Sequence, residues 1–140
     1  MKCGFALAAK AVIVNDDRIL NLKRSEKEMK GSYLNKNEQW DLPGGSVHFH
    51  ENSLEGLLRE ISEETSVNVR ILKPIRVFDV IKNQVHMTII TYVCQYRGGD
   101  VILSEEHDEY YWLTVKEAEE MQLPKWMIKD MKMALSEIKK

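Results

Sequence analysis

Three glutamates, Glu60, Glu63 and Glu64, crowd one short stretch of this 140-residue chain. On a helix, at about 100° per residue, they project within roughly one third of the circumference. Like charges three and four residues apart disfavour a helix by a few tenths of a kcal/mol per pair, and acids near a helix C-terminus also oppose its dipole. A hard divalent cation, Mg²⁺ or Mn²⁺, takes oxygen ligands and would offset that repulsion. Charge spacing alone favours a plainer reading, a solvated acidic face with Arg59 and Lys73 as loose partners. The surrounding residues decide between them.

Leu54, Leu57, Leu58 and Ile61 recur at i, i+3, i+4 and i+7 and predict a helix with one buried face, started by a capping box of Asn52 and Glu55. Upstream, Trp40-Asp41-Leu42-Pro43-Gly44-Gly45 interrupts the chain, and its glycine pair permits close backbone approach. A hairpin precedes it: a strand from Phe5 to Val14, a turn at Asn15-Asp16-Asp17 and a strand from Arg18 to Lys23. Residues Ser25 to Gln39 read as a long exposed loop near the binding region. Beyond the helix, strands are expected over Val67–Leu72, Ile75–Ile81, Val85–Arg97, Val101–Leu103 and Tyr110–Leu113. A helix then starts near Val115, capped by Thr114 and Glu117, and a last one follows Pro124 with Met127, Met131, Ala134, Leu135 and Ile138 as its apolar stripe. The fold class is a mixed sheet flanked by helices, an α+β or α/β sandwich.

The length fits a single domain over residues 1–140, and three prolines with seven glycines exclude a fibrous or disordered chain. A formal net charge of -2 provides no global basic field, so no nucleic acid polymer is expected as partner. The apolar start, Phe5 to Val14, is cut by Lys10 and reads as one buried strand rather than a secretory signal; no run reaches membrane-spanning length, and no membrane partner is expected. Cys3 and Cys94 form no metal-ligand spacing, which points to a reducing cytoplasm.

The segment from Gly45 to Val67 resembles the Nudix box: a glycine, five residues, Glu, seven residues, Arg-Glu, an aliphatic residue, any residue, Glu-Glu, any residue, Gly, aliphatic. Gly45, Glu51, Arg59, Glu60, Ile61, Glu63, Glu64 and Val67 fall in register, and Ser66 stands where the family has glycine. The lead-in Trp40-x-Leu42-Pro43-Gly44-Gly45 is similar to that of MutT-like members. The resemblance implies an α/β/α sandwich and a Mg²⁺- or Mn²⁺-dependent hydrolase that cuts the pyrophosphate link of a nucleoside diphosphate derivative. A nucleoside triphosphate is the first choice of substrate; ADP-ribose, a nucleotide sugar or a dinucleoside polyphosphate is the alternative, and a binding module that has lost its chemistry is the alternative of another class.

The same resemblance implies metal ligation by Glu60, Glu63, Glu64 and the Gly44 carbonyl. It gives Arg59 the task of orienting Glu51 or Glu60. The general base is either a box glutamate or one of Glu105, Glu106 and Glu109, with Glu106 ranked first. Glu51, Gly45, Lys23, Arg24 and Trp40 complete the set expected around the substrate. His48 and His50 line the loop before the helix, His50 replacing the glycine common before Glu51, and His107 is expected near the active site. A nucleotide-type small molecule is the expected partner, for a monomer or homodimer.

Overall fold

Strand β1 (Gly4–Asn15) forms the spine of the fold because it pairs along both edges. In this computed structural model, which describes residues 4–30 and 38–139, β1 runs parallel to β6 (Val85–Tyr96) from Gly4 to Val14. Its other edge is shared between two strands. The antiparallel β2 (Arg18–Arg24) takes the C-terminal end, pairing Val14 with Ile19, and the short β4 (Gly44–Ser46) takes Ala8 to Lys10. Strands β3 (Trp40–Asp41) and β7 (His107–Leu113) both pair with β2, and β5 (Val69–Lys82) lies antiparallel on the far side of β6. The result is a mixed seven-stranded sheet among the described residues.

Alternation along β1 sends its side chains to two cores. Ala9, Ala11 and Ile13 meet helix α2 (Ser53–Thr65) through Leu57 and Ile61, while Val12 and Val14 meet helix α4 (Lys125–Ile138) through Met127, Met131 and Ala134. Each fully buried Leu, Ile or Met side chain contributes about 1.5–3 kcal/mol relative to exposure. The expected sandwich is therefore present, with the methionine stripe as core. Among the described residues no helix is long and apolar enough to cross a membrane.

Several local expectations need correction. Leu54 and Leu58 are 43% and 45% exposed, because α2 touches the sheet along the narrower line of Leu57 and Ile61. Asn52 does cap α2, accepting from the Leu54 N–H at 2.9 Å, but the reciprocal bond expected from Glu55 is absent. The full capping box occurs instead at helix α3 (Val115–Glu120), between Thr114 and Glu117 as expected. The two strands predicted at Val67–Leu72 and Ile75–Ile81 are one, β5, whose register shifts beside Ile71 and Pro74 accommodate a proline that has no N–H to donate. The segment Val101–Leu103 is not a strand. Its Ile102 N–H bonds to Thr65 O at 2.9 Å and the Ser104 N–H to Glu64 O at 3.3 Å, which satisfies carbonyls left open at the end of α2.

The predicted loop from Ser25 to Gln39 begins with a short helix, α1 (Glu26–Lys30), in which the Ser25 hydroxyl accepts from the Glu28 N–H. Gly31, Tyr33 and Asn35-Lys36-Asn37 lie outside the described residues. The last strand starts at His107, three residues earlier than expected.

Candidate active site

The glycine pair determines what can approach the middle of β1. Gly44 has φ 137°, and a Cβ there would stand 2.1 Å from the Ala9 carbonyl oxygen, so no side chain fits. Its N–H donates to Glu64 Oε1 at 3.1 Å. A Cβ on Gly45 would stand 2.8 Å from the Glu60 carboxyl carbon. The absence of both side chains lets α2 lay Glu60 and Glu64 directly against the β4 backbone.

Glu64 is only 4% exposed, and burial pushes its pKa up to about 8, although Lys10 and the Gly44 N–H pull the other way. Such a carboxyl holds a proton near neutrality unless a cation takes its place. A carboxylate oxygen of Glu64, one of Glu106 and a ring nitrogen of His107 lie within 4.8 Å of one another. Glu60, only partly exposed, borders the same cavity of about 300 Å³. This oxygen-rich donor set fits a hard divalent cation.

Arg59 organises the outer side of the acidic helix. Its Nε donates to Glu51 Oε2 at 2.7 Å and its Nη2 to Glu51 Oε1 at 3.1 Å, a bidentate pair. Its Nη1 reaches Glu60 Oε1 at 3.1 Å and Glu63 Oε2 at 3.2 Å, and its Nη2 also reaches Ser46 O at 3.1 Å. The sequence leaves open whether Arg59 orients Glu51 or Glu60; it bridges both. The Arg59 hydrogen bond and the His48 N–H hold Glu51 down to about 2, against its ordinary 4.5. Gly56, which the sequence reading passes over, makes room for this pair, since a Cβ there would stand 2.8 Å from Glu51 Oε1.

Asp41 is the buried hub that sequence reasoning missed. It accepts from Lys10 Nζ at 3.0 Å, from Arg24 Nη2 at 3.1 Å and from the Leu42 N–H at 2.9 Å, and it pairs with His107 Nε2 at 3.0 Å. Burial alone would raise its pKa, but Lys10, His107 and Arg24 together hold it well below the usual carboxylate range. The available signal was a lone acid inside an otherwise apolar and glycine-rich run, since a buried charge requires partners.

The predicted residues separate into groups. Gly44, Gly45, Arg24, Glu60, Glu64 and Glu106 border the acidic cavity, joined by Lys10, Asp41 and His107. Glu63, Arg59 and Glu51 lie behind it rather than on its wall, and Glu63 is exposed. Of Glu105, Glu106 and Glu109, Glu106 is the one on the cavity, while Glu109 accepts from the Tyr111 hydroxyl. Trp40 borders a second cavity of about 390 Å³ that shares Lys10, Arg24 and Asp41 with the first. Lys23 lies over the Trp40 ring at 5.2 Å but borders neither cavity. His48 is exposed, and His50, at φ 68°, stands in the left-handed conformation that favours glycine. His86 pairs with Asp79 and stacks on Phe5, away from these cavities.

Fold and cavity together define an α/β/α sandwich in which one helix presents Glu60 and Glu64 to an acidic cavity completed by Asp41 and Glu106. The chain belongs to the NUDIX domain family, which it matches over residues 4–134. It is 35% identical over 104 residues to the asymmetrical bis(5'-nucleosyl)-tetraphosphatase of Mus musculus, covering 70% of this chain and 68% of that one. It is 29% identical over 113 residues to a MutT-like protein of Streptomyces ambofaciens, covering 80% of this chain and 65% of that one. The chain thus spans about two thirds of the length of these relatives. The solved MutT protein from Methanosarcina mazei Go1 has TM-score 0.75 and 29% identity, over 100% of this chain and 99% of that one.

Proposed function

We propose that the chain hydrolyses the pyrophosphate bond of a nucleoside diphosphate derivative, with a nucleoside triphosphate as first choice of substrate and ADP-ribose or a nucleotide sugar as the alternative. The observation that carries this reading is the convergence of Glu60 and Glu64 on the Gly44-Gly45 backbone, beside Glu106 and His107. Glu60, Glu64 and the Gly44 carbonyl are the groups that would hold Mg²⁺ or Mn²⁺. A bound divalent cation supplies phosphate charge neutralisation and an acidified water.

The chain's own residues do the rest. Lys10 and Arg24, oriented by Asp41, present positive charge to the phosphates. Arg59 fixes Glu60 through Nη1, so that the carboxylate does not swing away from Gly45. A Glu106 carboxylate oxygen is the acceptor for the proton of the attacking water. Glu63 tightens the same guanidinium from the solvent side.

The test is a panel of nucleoside triphosphates, ADP-ribose, nucleotide sugars and dinucleoside polyphosphates, each assayed with Mg²⁺, with Mn²⁺ and with chelator. Hydrolysis of at least one, abolished by chelator, is expected. Binding without metal-dependent turnover of any would replace this reading with that of a binding module.

A further inference from the structure

The second cavity carries polar chemistry that phosphate hydrolysis does not use. Strand register builds its floor in rows: Lys10 on β1, Thr91 on β6 and Arg76 on β5 are partners across three strands, and Ile89 and Phe78 form the row beside them. Trp40 and Trp126 stand at its walls. Two inter-strand spacings, about 10 Å, separate the Lys10 and Arg76 backbones, which is on the scale of a nucleotide from its 5'-phosphate to the far edge of its base. One end of the row therefore meets the phosphate cavity through Lys10, and the other ends in a guanidinium.

Arg76 is prepared for planar recognition. Its Cζ lies over the Phe78 ring at 4.0 Å and near the Trp126 ring at 5.9 Å. It makes one hydrogen bond to a described residue, from Nη2 to Asp130 Oδ2 at 2.8 Å. Asp130 is 1% exposed on α4 and anchors the guanidinium from one side. The buried Nε hydrogen, both Nη1 hydrogens and the second Nη2 hydrogen remain without a partner among the described residues, and the Nη1 and Nη2 hydrogens form the fork that a ligand can reach. A guanidinium fork of this kind matches two neighbouring acceptors in a plane.

Building on the proposed nucleotide reaction, we propose that this cavity takes the substrate's base and that Arg76 selects one with two adjacent acceptor atoms on an edge. Guanine presents O6 and N7 in this way, and cytosine presents O2 and N3. Adenine sets an N–H donor beside N7, and uracil sets an N–H between its carbonyls; either would turn a donor toward the guanidinium. Trp126 and Phe78 supply stacking surface, which every base can use, so stacking gives affinity and Arg76 gives the choice.

The experiment titrates the protein, with chelator and no metal, with GMP, CMP, AMP and UMP, following quenching of tryptophan fluorescence from Trp40 and Trp126. The better of GMP and CMP is expected to bind about tenfold more tightly than AMP and UMP, toward the lower end for a bidentate arginine–base pair. Arg76→Lys keeps a cation for Asp130 but loses the fork, and should shrink the preference to within about twofold. The double variant R76M/D130L removes the buried pair as a unit, and its melting curve checks the fold; it should also bind all four alike. Equal binding of AMP or UMP by the unmodified protein, a preference surviving in Arg76→Lys, or no quenching by any of the four would overturn the assignment. Because the titration needs no turnover, it stands apart from the hydrolysis panel: base-selective binding without hydrolysis would sink the proposed reaction, and base-indifferent hydrolysis would sink the role of Arg76.

Discussion

The Glu60 carboxyl occupies the space that a side chain at position 45 would need: a Cβ on Gly45 would lie 2.8 Å from its carboxyl carbon and 2.9 Å from both oxygens. A methyl there must displace the carboxylate, because the surrounding backbone is paired with β1 and cannot retreat. Gly45→Ala is therefore expected to lower kcat/KM by about a hundredfold, since small misplacements of reacting groups cost on that order. Its melting temperature should change little, because the end of a glutamate side chain moves cheaply. Full activity in the variant would mean that the Glu60 position is irrelevant to chemistry.

Glu64→Gln changes charge but little volume, and its Oε1 can still accept from the Gly44 N–H. Loss of activity by orders of magnitude is expected in Mg²⁺ or Mn²⁺, with the fold intact by circular dichroism. In chelator, near neutrality, the variant should melt no lower than the unmodified chain, because a buried carboxyl with a pKa near 8 gains nothing from its charge there. Near-normal rates in Glu64→Gln would remove this residue from the metal site.

What the sequence made legible was local. The spacing of Leu57, Ile61, Glu60 and Glu64 located α2 and its acidic face, and Thr114 with Glu117 located α3, because each signal lies within one helical turn. What it hid was long-range. Asp41 finds Lys10 31 residues upstream and His107 66 residues downstream, and Arg76 finds Asp130 54 residues on; no periodicity links such pairs. Exposure of Leu54 and Leu58 was likewise decided by how narrowly α2 meets the sheet, along Leu57 and Ile61, rather than by their spacing.

Ser66 ends α2 at φ 63°, ψ 6°, the left-handed conformation that its box position implies, with its N–H on Ser62 O at 3.1 Å. A non-glycine residue there costs roughly 1 kcal/mol relative to glycine. Ser66→Gly should raise the melting temperature by about 3 °C for a chain of this size. A melt that is unchanged or lower would show that the serine relieves the strain in some other way.

Glu51 provides a pH-dependent test of the Arg59 network. Its pKa falls from an ordinary 4.5 to about 2 in the fold, chiefly through the Arg59 hydrogen bond. A depressed carboxylate stabilises the fold above its unfolded pKa and loses that contribution as pH drops toward the folded value. Glu51→Gln should therefore melt lower than the unmodified chain above about pH 5, with the gap closing toward pH 2. Melting curves across that range measure it, and a gap that stays constant with pH would assign the loss to packing instead of charge.

Product chemistry tests the proposed reaction most directly. A divalent cation held by the carboxylates gathered at Gly44-Gly45, together with Lys10 and Arg24 on the same cavity, would neutralise two neighbouring phosphates, which makes a phosphate-bearing leaving group far better than an alkoxide. Attack is then expected at a phosphorus within the diphosphate chain, giving a nucleoside monophosphate, with pyrophosphate as co-product from a triphosphate. A phosphatase would release orthophosphate instead. Hydrolysis of the best substrate in heavy-oxygen water, followed by mass spectrometry, marks the attacked phosphorus. Orthophosphate as the sole small product from a triphosphate would overturn the assignment, whereas labelled monophosphate or ribose phosphate from ADP-ribose would keep the chemistry and move the substrate to the alternative class.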